Sequence, residues 1–395
     1  MVLEDICEFI VDCPHSTAPD ESVGYPLIRT PNVGRGRLIL EGVHRVSKET
    51  YDKRNARAVP QIDDIIFARE APAGNAALIR EGQEVCLGQR TVLIRPDKKK
   101  VCPEFLVYYI LAPKQQYELL GTANGATVAH VNLPIIRKMP VNLPDIDVQK
   151  KIARYIAKYD DLIENNQKQI KLLEEAAQRF YKEWFVDVRF PGHEECKIVD
   201  GVPEGWKKVQ LGEVFTTVLG GTPSRNKIDY WGGNIPWINS GAVNNLRIVK
   251  ESEFITELGL SNSSTKIMPV HTTVLAITGA TLGQVSYTEI EVCANQSVVG
   301  VYDSKDIYNE FIYLTISNKI KEIISEAMGG AQQHINKDVV NRFEVVMPDN
   351  DINKKLKNQI KPLFKKITNL CCDIENLKEA RDRLLPKLMN GEIEV

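Results

Sequence analysis

Five loops of this 395-residue chain gather its most versatile polar side chains, and what they offer is hydrogen bonding rather than bond making. Residues 29–37 carry Arg29, Asn32, Arg35 and Arg37; residues 239–247 carry Asn239, Ser240, Asn244, Asn245 and Arg247. A second pair of loops offers Arg69 and Asn75 in one place and Thr278 and Gln284 in another. A fifth holds Arg225, Asn226 and Lys227. Arg and Asn present paired groups that match the edges of guanine and adenine in a DNA major groove, and Ser or Thr serves either. Base readout is the chemistry expected of this set, with plain surface solvation the alternative for any one member. The run Lys98-Lys99-Lys100 reads as a solvated turn, with a phosphate contact as its alternative.

Catalytic patterns are not found. There is no G-x-x-x-x-G-K-[ST] phosphate loop, and Gly34-Arg35-Gly36 begins a G-x-G pattern that ends on Ile39 instead of Gly. No Asn- or Asp-Pro-Pro-aromatic run of the adenine and cytosine methyltransferases occurs. Pro144-Asp145 and Pro348-Asp349 stand where helices need caps. His130 and His334 occupy equivalent places without a duplicated nucleophile, so both read as structural. None of the eight cysteines forms a C-x-x-C pair, which leaves buried thiols rather than a zinc site. The expectation is therefore no catalytic group, no metal and no cofactor in this chain. Net charge is −2, whereas a dedicated non-specific nucleic-acid binder is strongly basic; local basic surfaces or partners would have to supply the rest. No apolar run approaches a membrane span, and the acidic start, Met1 to Asp5, is unlike a signal peptide, which suggests the cytoplasm.

The elements that must position these loops are two long helices. Ile152, Ile156, Tyr159, Ile163, Asn166, Ile170, Leu173, Ala177, Phe180 and Trp184 step by four and three, a heptad seam with one polar place at Asn166. The seam returns as Leu356, Ile360, Leu363, Ile367, Leu370, Ile374, Leu377, Arg381, Leu384 and Leu388, each 204 positions after its counterpart. Such shared register marks an internal duplication. About 36 helical residues span roughly 54 Å.

The segments before the two helices also match. Tyr25–Thr30 aligns with Ile235–Ser240, Pro60–Asn75 with Pro269–Gln284, Glu84-Val85-Cys86 with Glu291-Val292-Cys293, and Gln89 with Gln296. Short β-branched runs predict strands at 64–68, 91–95, 273–278 and 298–302, and helices fit 103–111 and 309–327. The reading is α+β: an α/β module at 1–144, a helix at 145–188, a second module at 189–347 and a second helix at 348–395. If the seams pair, connectivity makes the helices antiparallel, with Ile152 near Leu388, Trp184 near Leu356, Arg381 near Tyr159, and the modules at opposite ends about a pseudo-two-fold.

These features resemble the specificity subunit of type I restriction–modification systems over essentially the whole length. The most telling pieces are the duplicated passage from Pro144 or Pro348 into the long helix, and the paired modules with 23–30 against 234–240 and 64–75 against 273–284. The final 384–393 stretch, LLPKLMNGEI, adds to them. One departure is Asn353 where Gln149 precedes the first helix, which leaves that helix-start contact open. The resemblance implies a non-catalytic subunit whose two target-recognition domains each read half of a bipartite DNA site. It implies two methylation subunits docked on the helices, which bind S-adenosylmethionine, and restriction subunits that use ATP and Mg²⁺. Unlike loops on like frames predict an asymmetric site. The rival reading is a non-catalytic scaffold holding two protein- or glycan-binding modules.

Overall fold

The computed structural model describes residues 1–121, 130–327 and 335–395, residue 327 by its backbone. It divides into two compact units, Met1–Ile163 with Asn376–Val395, and Glu164–Glu375.

In the first unit, strands β1 (Cys7–Asp12), β2 (Tyr25–Ile28), β3 (Gly36–Arg37), β4 (Arg45–Val46), β5 (Ile65–Ala68), β6 (Ala76–Leu78), β7 (Cys86–Leu87) and β8 (Thr91–Pro96) build two sheets. One has the order β1-β8-β5-β6-β3 and the other β4-β2-β7. Helices α1 (Lys48–Arg54), α2 (Pro103–Leu111), α3 (Pro113–Gly121) and α4 (Leu133–Arg137) complete the module. Strand β5 shows why the chain folds this way. Every residue of Ile65-Ile66-Phe67-Ala68 is buried, as in a central strand covered on both faces. Alternation then sends Ile65 and Phe67 into a core with Phe105 and Leu106 of α2. Ile66 and Ala68 go into a second core with Ile28 and Leu87 of the smaller sheet.

The second unit repeats the plan. Strands β9 (Ile198–Val199) and β10 (Val202–Pro203) form a small ribbon. Strands β11 (Lys207–Gln210), β12 (Thr216–Leu219), β13 (Trp231–Ile238), β14 (Arg247–Ile248), β15 (Glu253–Ile255), β16 (Thr273–Ala276), β17 (Val285–Thr288), β18 (Cys293–Ala294), β19 (Val298–Tyr302) and β20 (Glu344–Met347) follow. The larger sheet runs β12-β19-β16-β17-β14 and the smaller β15-β13-β18, the same orders as in the first module; β11 pairs with β20. Leu275 of β16 joins a core with Ile312 and Ile316, whereas its neighbours Val274 and Ala276 join Ile238 and Val292. Alongside lie α6 (Leu211–Val214), α7 (Glu257–Ser261), α8 (Asn309–Ala327) and α9 (Lys337–Arg342). Helix bounds at 103–111 and 309–327 and strand bounds at 298–302 match the periodicity. The two-residue strands are too short to show one.

Both units draw on both long helices. α5 (Ile146–Tyr181) continues into a π-turn at Lys182–Val186, and α10 spans Asn350–Met389. In the first unit Ile152 and Ile156 share a core with Leu385 and Leu388. In the second, Ala177, Tyr181 and Trp184 share one with Leu356, Ile360 and Phe364. The start of α5 thus meets the end of α10, and the end of α5 the start of α10, which is the antiparallel pairing of two duplicated halves. Ile163, Ile170, Ile367, Leu370 and Ile374 are also buried. The heptad reading needs correction at several places. Tyr159, Leu173, Phe180, Leu363, Leu377 and Leu384 are only half-buried, and Asp160, Phe364 and Leu385 hold the deeper positions beside three of them. A straight helix drifts about 20° per heptad from a strict seven-residue stripe, which turns the neighbour inward. The cysteine expectation is corrected too: Cys13, Cys86 and Cys293 are buried, but Cys372 on α10 is exposed. Among the described residues no helix is long and apolar enough to cross a membrane.

Candidate nucleic-acid interface

The fold brings together the loops paired by sequence. In the first module Asn75 Nδ2 donates to the Val33 carbonyl at 2.9 Å, tying the loop after β5 to the loop after β2. In the second, the 3₁₀ turns Ser240–Asn244 and Gly279–Thr281 lie against each other. Buried Asn32 shapes its loop by accepting from the Arg29 N–H and donating to the Ile39 carbonyl, both at 3.2 Å. In the matching turn of the second module Asn239, at the place of Arg29, accepts from Ala242 N–H at 3.3 Å.

Several proposed base readers are committed to the protein instead. Arg35 donates to the Leu111 carbonyl at 3.1 Å, and Arg37 ion-pairs with Asp161 on α5. Gly36 between them takes φ +91°, and a Cβ there would stand 3.1 Å from Asp160 Oδ2, so the strand passes close to the long helix. Arg69 is buried, bonded to Asp12 at 2.7 Å, to the Val131 carbonyl at 2.9 Å and to His130 at 2.9 Å. Arg247 has no exposed side-chain surface at all; Glu174, Glu289 and three aromatic rings enclose it. Asn32 and Asn75 are likewise engaged in loop geometry; of these six, Asn32, Arg69 and Arg247 are buried, Arg37 and Asn75 half-buried, and Arg35 exposed. A guanidinium or amide that suits a base edge suits an internal carbonyl or carboxylate equally well, so residue type could not separate the two uses.

Asn239, Asn244, Asn245, Arg225 and Lys227 are exposed, and Arg29, Ser240 and Thr278 half-buried. The Arg225 fork grips Glu253 at 2.6 and 2.8 Å and lies 3.6 Å above the Trp231 ring. That hydrogen bond holds the Glu253 carboxyl below its ordinary pKa. Trp231 and Trp237 each donate an indole N–H to this loop, to the carbonyls of Ser224 and Gly221. Thr222 reaches Gln296. A rigid frame thus carries a basic tip with Lys227 and the highly exposed Ile228.

The equivalent loop of the first module escaped the sequence reading. After β1, Gln89 Nε2 donates to the His15 carbonyl and to Thr17 Oγ1, both at 3.0 Å. Buried Arg54 donates to the carbonyls of Ser16 at 2.9 Å and Pro14 at 3.2 Å. The Gln89–Gln296 match was the available signal, since each glutamine braces the loop that follows the first strand of its larger sheet. Beside this loop lie Asp12, Arg69, Glu70, Arg90 and His130. Burial and then the Arg69 charge lower the His130 pKa. A neutral ring fits its contacts, with Nδ1–H toward Glu70 at 2.5 Å and Nε2 accepting from Arg69. His130 therefore braces this tip; His334 lies outside the described residues. Lys98 pairs with Asp63 at 2.6 Å and Lys100 bonds the Asp5 carbonyl at 2.9 Å, a surface turn.

The helix starts resolve the Gln149–Asn353 departure. Gln149 accepts from Cys102 N–H at 2.9 Å, just before α2, and Asn353 donates to the Ile307 carbonyl at 3.0 Å, just before α8. Both are buried, so different amides dock each long helix to the same point of its module. Asp349 Oδ1 accepts from Ile352 N–H at 2.8 Å, the expected cap.

The family model described as the type I restriction modification DNA specificity domain matches residues 1–175 and again 203–379. The chain belongs to this family and holds two such domains. It is similar to the type I restriction enzyme MjaIX specificity subunit of Methanocaldococcus jannaschii, 27% identical over 90% of this chain and 83% of that one. It is also similar to the HindI specificity subunit of Haemophilus influenzae, 23% identical over 84% of this chain and 86% of that one. Among solved structures, the type I system S subunit from M. genitalium shares the fold, with TM-score 0.54, 16% identity and coverage of 98% and 95%.

Proposed function

We propose that this chain is the DNA-reading subunit of a type I restriction–modification assembly and carries no catalytic centre of its own. One observation carries the reading: the same pair of sheets occurs twice, and the loops it displays differ in nearly every exposed side chain. In this reading each domain recognises one half of a split, asymmetric duplex site. The contacts from the second domain come from Arg225, Lys227, Asn239, Ser240, Asn244, Asn245 and Thr278. Those from the first come from Arg29 and the loop at His15 and Ser16. Two methylation subunits, which bring S-adenosylmethionine, dock on the long helices. Restriction subunits, which bring ATP and Mg²⁺, join that core.

The test is to express the chain with its methylation subunits in a methylation-free host and map every modified adenine. A split motif with unlike halves is the expected result. Binding of that duplex should weaken steeply with salt, as phosphate neutralisation requires. A palindromic motif would overturn the asymmetric reading, and no motif at all would overturn the DNA-reading role.

A further inference from the structure

Each module is fastened to the long helices through one enclosed arginine. In the first unit Arg381 of α10 donates to Asp160 Oδ1 of α5 at 2.8 Å, and the module's Tyr108 hydroxyl donates to Asp160 Oδ2 at 2.7 Å. Asp160 is only 4% exposed and the Arg381 side chain 13%. Three elements therefore converge on one carboxylate. Arg37 adds a second tie from the module to Asp161, the next residue on the helix.

In the second unit the arginine comes from the module. Arg247, at the edge strand β14, places its guanidinium 4.6 Å from the Phe364 ring of α10 and Nη2 3.4 Å from Glu174 of α5. Tyr313 donates to the same glutamate at 2.9 Å. Thr368 of α10 donates to Glu289 of the module at 2.6 Å, and Glu289 lies 3.7 Å from Arg247 Nε. Again both helices and one module meet at one buried charge.

Apolar contacts tolerate sliding and rotation at small cost, because one methyl replaces another. A buried charge does not, since any displacement leaves it unpaired in a low-dielectric surrounding. We propose that Arg381 with Asp160, and Arg247 with Glu174, are positioning residues. They lock each recognition domain in one rotation and register on the helices, and thereby set the number of base pairs allowed between the half-sites. They touch no base in this proposal. It rests on the DNA-reading role argued above.

The experiment uses the full chain assembled with its methylation subunits and a set of duplexes carrying the mapped motif. The half-sites are held constant, and the spacer is native, one base pair shorter or one longer. Methylation rates give a spacer preference as the native-to-altered ratio. Tyr108→Phe and Arg381→Met test the first lock, and Tyr313→Phe and Arg247→Lys the second. Circular dichroism and thermal melting confirm folding, and the tyrosine variants serve if an arginine variant does not fold. The expected result is a ratio at least roughly fivefold lower, which is about 1 kcal/mol at 1.4 kcal/mol per decade. Preference for each base within the half-sites should stay unchanged. Folded variants that keep the wild-type ratio would overturn the proposal, as would a changed base preference, which would make these residues readers. A wild-type assembly that methylates none of the duplexes would instead defeat the DNA-reading role.

Discussion

The two modules share strand order and core plan, yet they solve their attachment to the helices differently. In the first unit both charges of the buried pair, Asp160 and Arg381, belong to the helices, and the module supplies that pair a hydroxyl, its Arg37 reaching instead the exposed Asp161 beside it. In the second the module supplies the cation, and the helices supply a carboxylate, an aromatic face and a hydroxyl. The seam positions show how this arose. Phe364 stands 204 residues after Asp160, and Ala177 stands 204 before Arg381. One duplicated place thus holds a buried carboxylate in one unit and the ring under Arg247 in the other. Duplication preserved the shape of the joint while its electrostatics diverged, because a buried charge is tolerated only if all its partners change together.

That difference predicts unequal costs. Arg247→Met removes the cation shared by two carboxylates, Glu174 and Glu289, each with 15% of its side chain exposed and each left with one hydroxyl partner, and should cost about 3–5 kcal/mol, the range for breaking a buried pair. Arg381→Met leaves Asp160 bonded to Tyr108 and should cost less, about 1.5–3 kcal/mol, as for a charged hydrogen bond. Urea unfolding of the two variants checks the order. Equal costs, or Arg381 the larger, would break the comparison.

Gly36 sharpens it. Its φ of +91° and the 3.1 Å approach of a Cβ to Asp160 Oδ2 make Gly36→Ala costly, about 1–3 kcal/mol for strained backbone. The equivalent place in the second module, 210 residues on, is Leu246, half-buried against the core around Arg247's ring neighbours. Leu246→Ala should therefore lose only packing, with no effect on the helix joint, as judged by unfolding of each variant in the presence and absence of Arg381→Met or Arg247→Lys.

Much of this frame was legible in the chain. Heptad steps located α5 and α10, and alternation or 3.6-residue spacing located β19, α2 and α8, because those patterns are local. The seam at Tyr159, Leu363 and Leu384 was displaced by one residue, since helix drift shows only when a partner surface is present. The interface was far less legible. Arg69 and Arg247 have the chemistry of base readers and serve inside the protein, and only tertiary contact decides which use a guanidinium takes. The loop at His15 carried no Arg or Asn to mark it, although Gln89 pointed toward it.

The sheet tips extend the contrast between modules to pH. Asp12, Arg69, Glu70, Arg90 and His130 form a charged network at the first tip. Thr278, Gly279 and Ser297 stand at the equivalent of Arg69, Glu70 and Arg90 in the second. His130 is held below its ordinary pKa by burial and by Arg69. The folded state therefore takes up a proton less readily than the unfolded chain. The stability this contributes is complete above the ordinary histidine value of about 6.5 and is lost as pH falls through the lowered folded value. Imidazole titration by NMR should place His130 below that value, and Arg69→Gln should raise it. A midpoint at or above the ordinary value would show a charged ring paired with Glu70 instead.

The smallest effect is one the modules should share. Cys86 and Cys293 occupy equivalent places on β7 and β18, both are buried, and burial pushes each thiol up to about 11. The thiolate is the reactive form, so both should resist maleimide in the native protein. Cys372 is exposed on α10, and its pKa is raised without being enclosed to the same degree. It should be labelled first, and mass spectrometry of partial digests reads the order. Because the sheet cores are alike, Cys86 and Cys293 should become reactive only with opening of their own module. Arg247→Lys should then speed labelling of Cys293 and leave Cys86 unchanged, and Arg381→Met should do the reverse. Acceleration of both cysteines by either variant would mean that the two joints are coupled, and the contrast between a helix-borne and a module-borne charge would lose its local character.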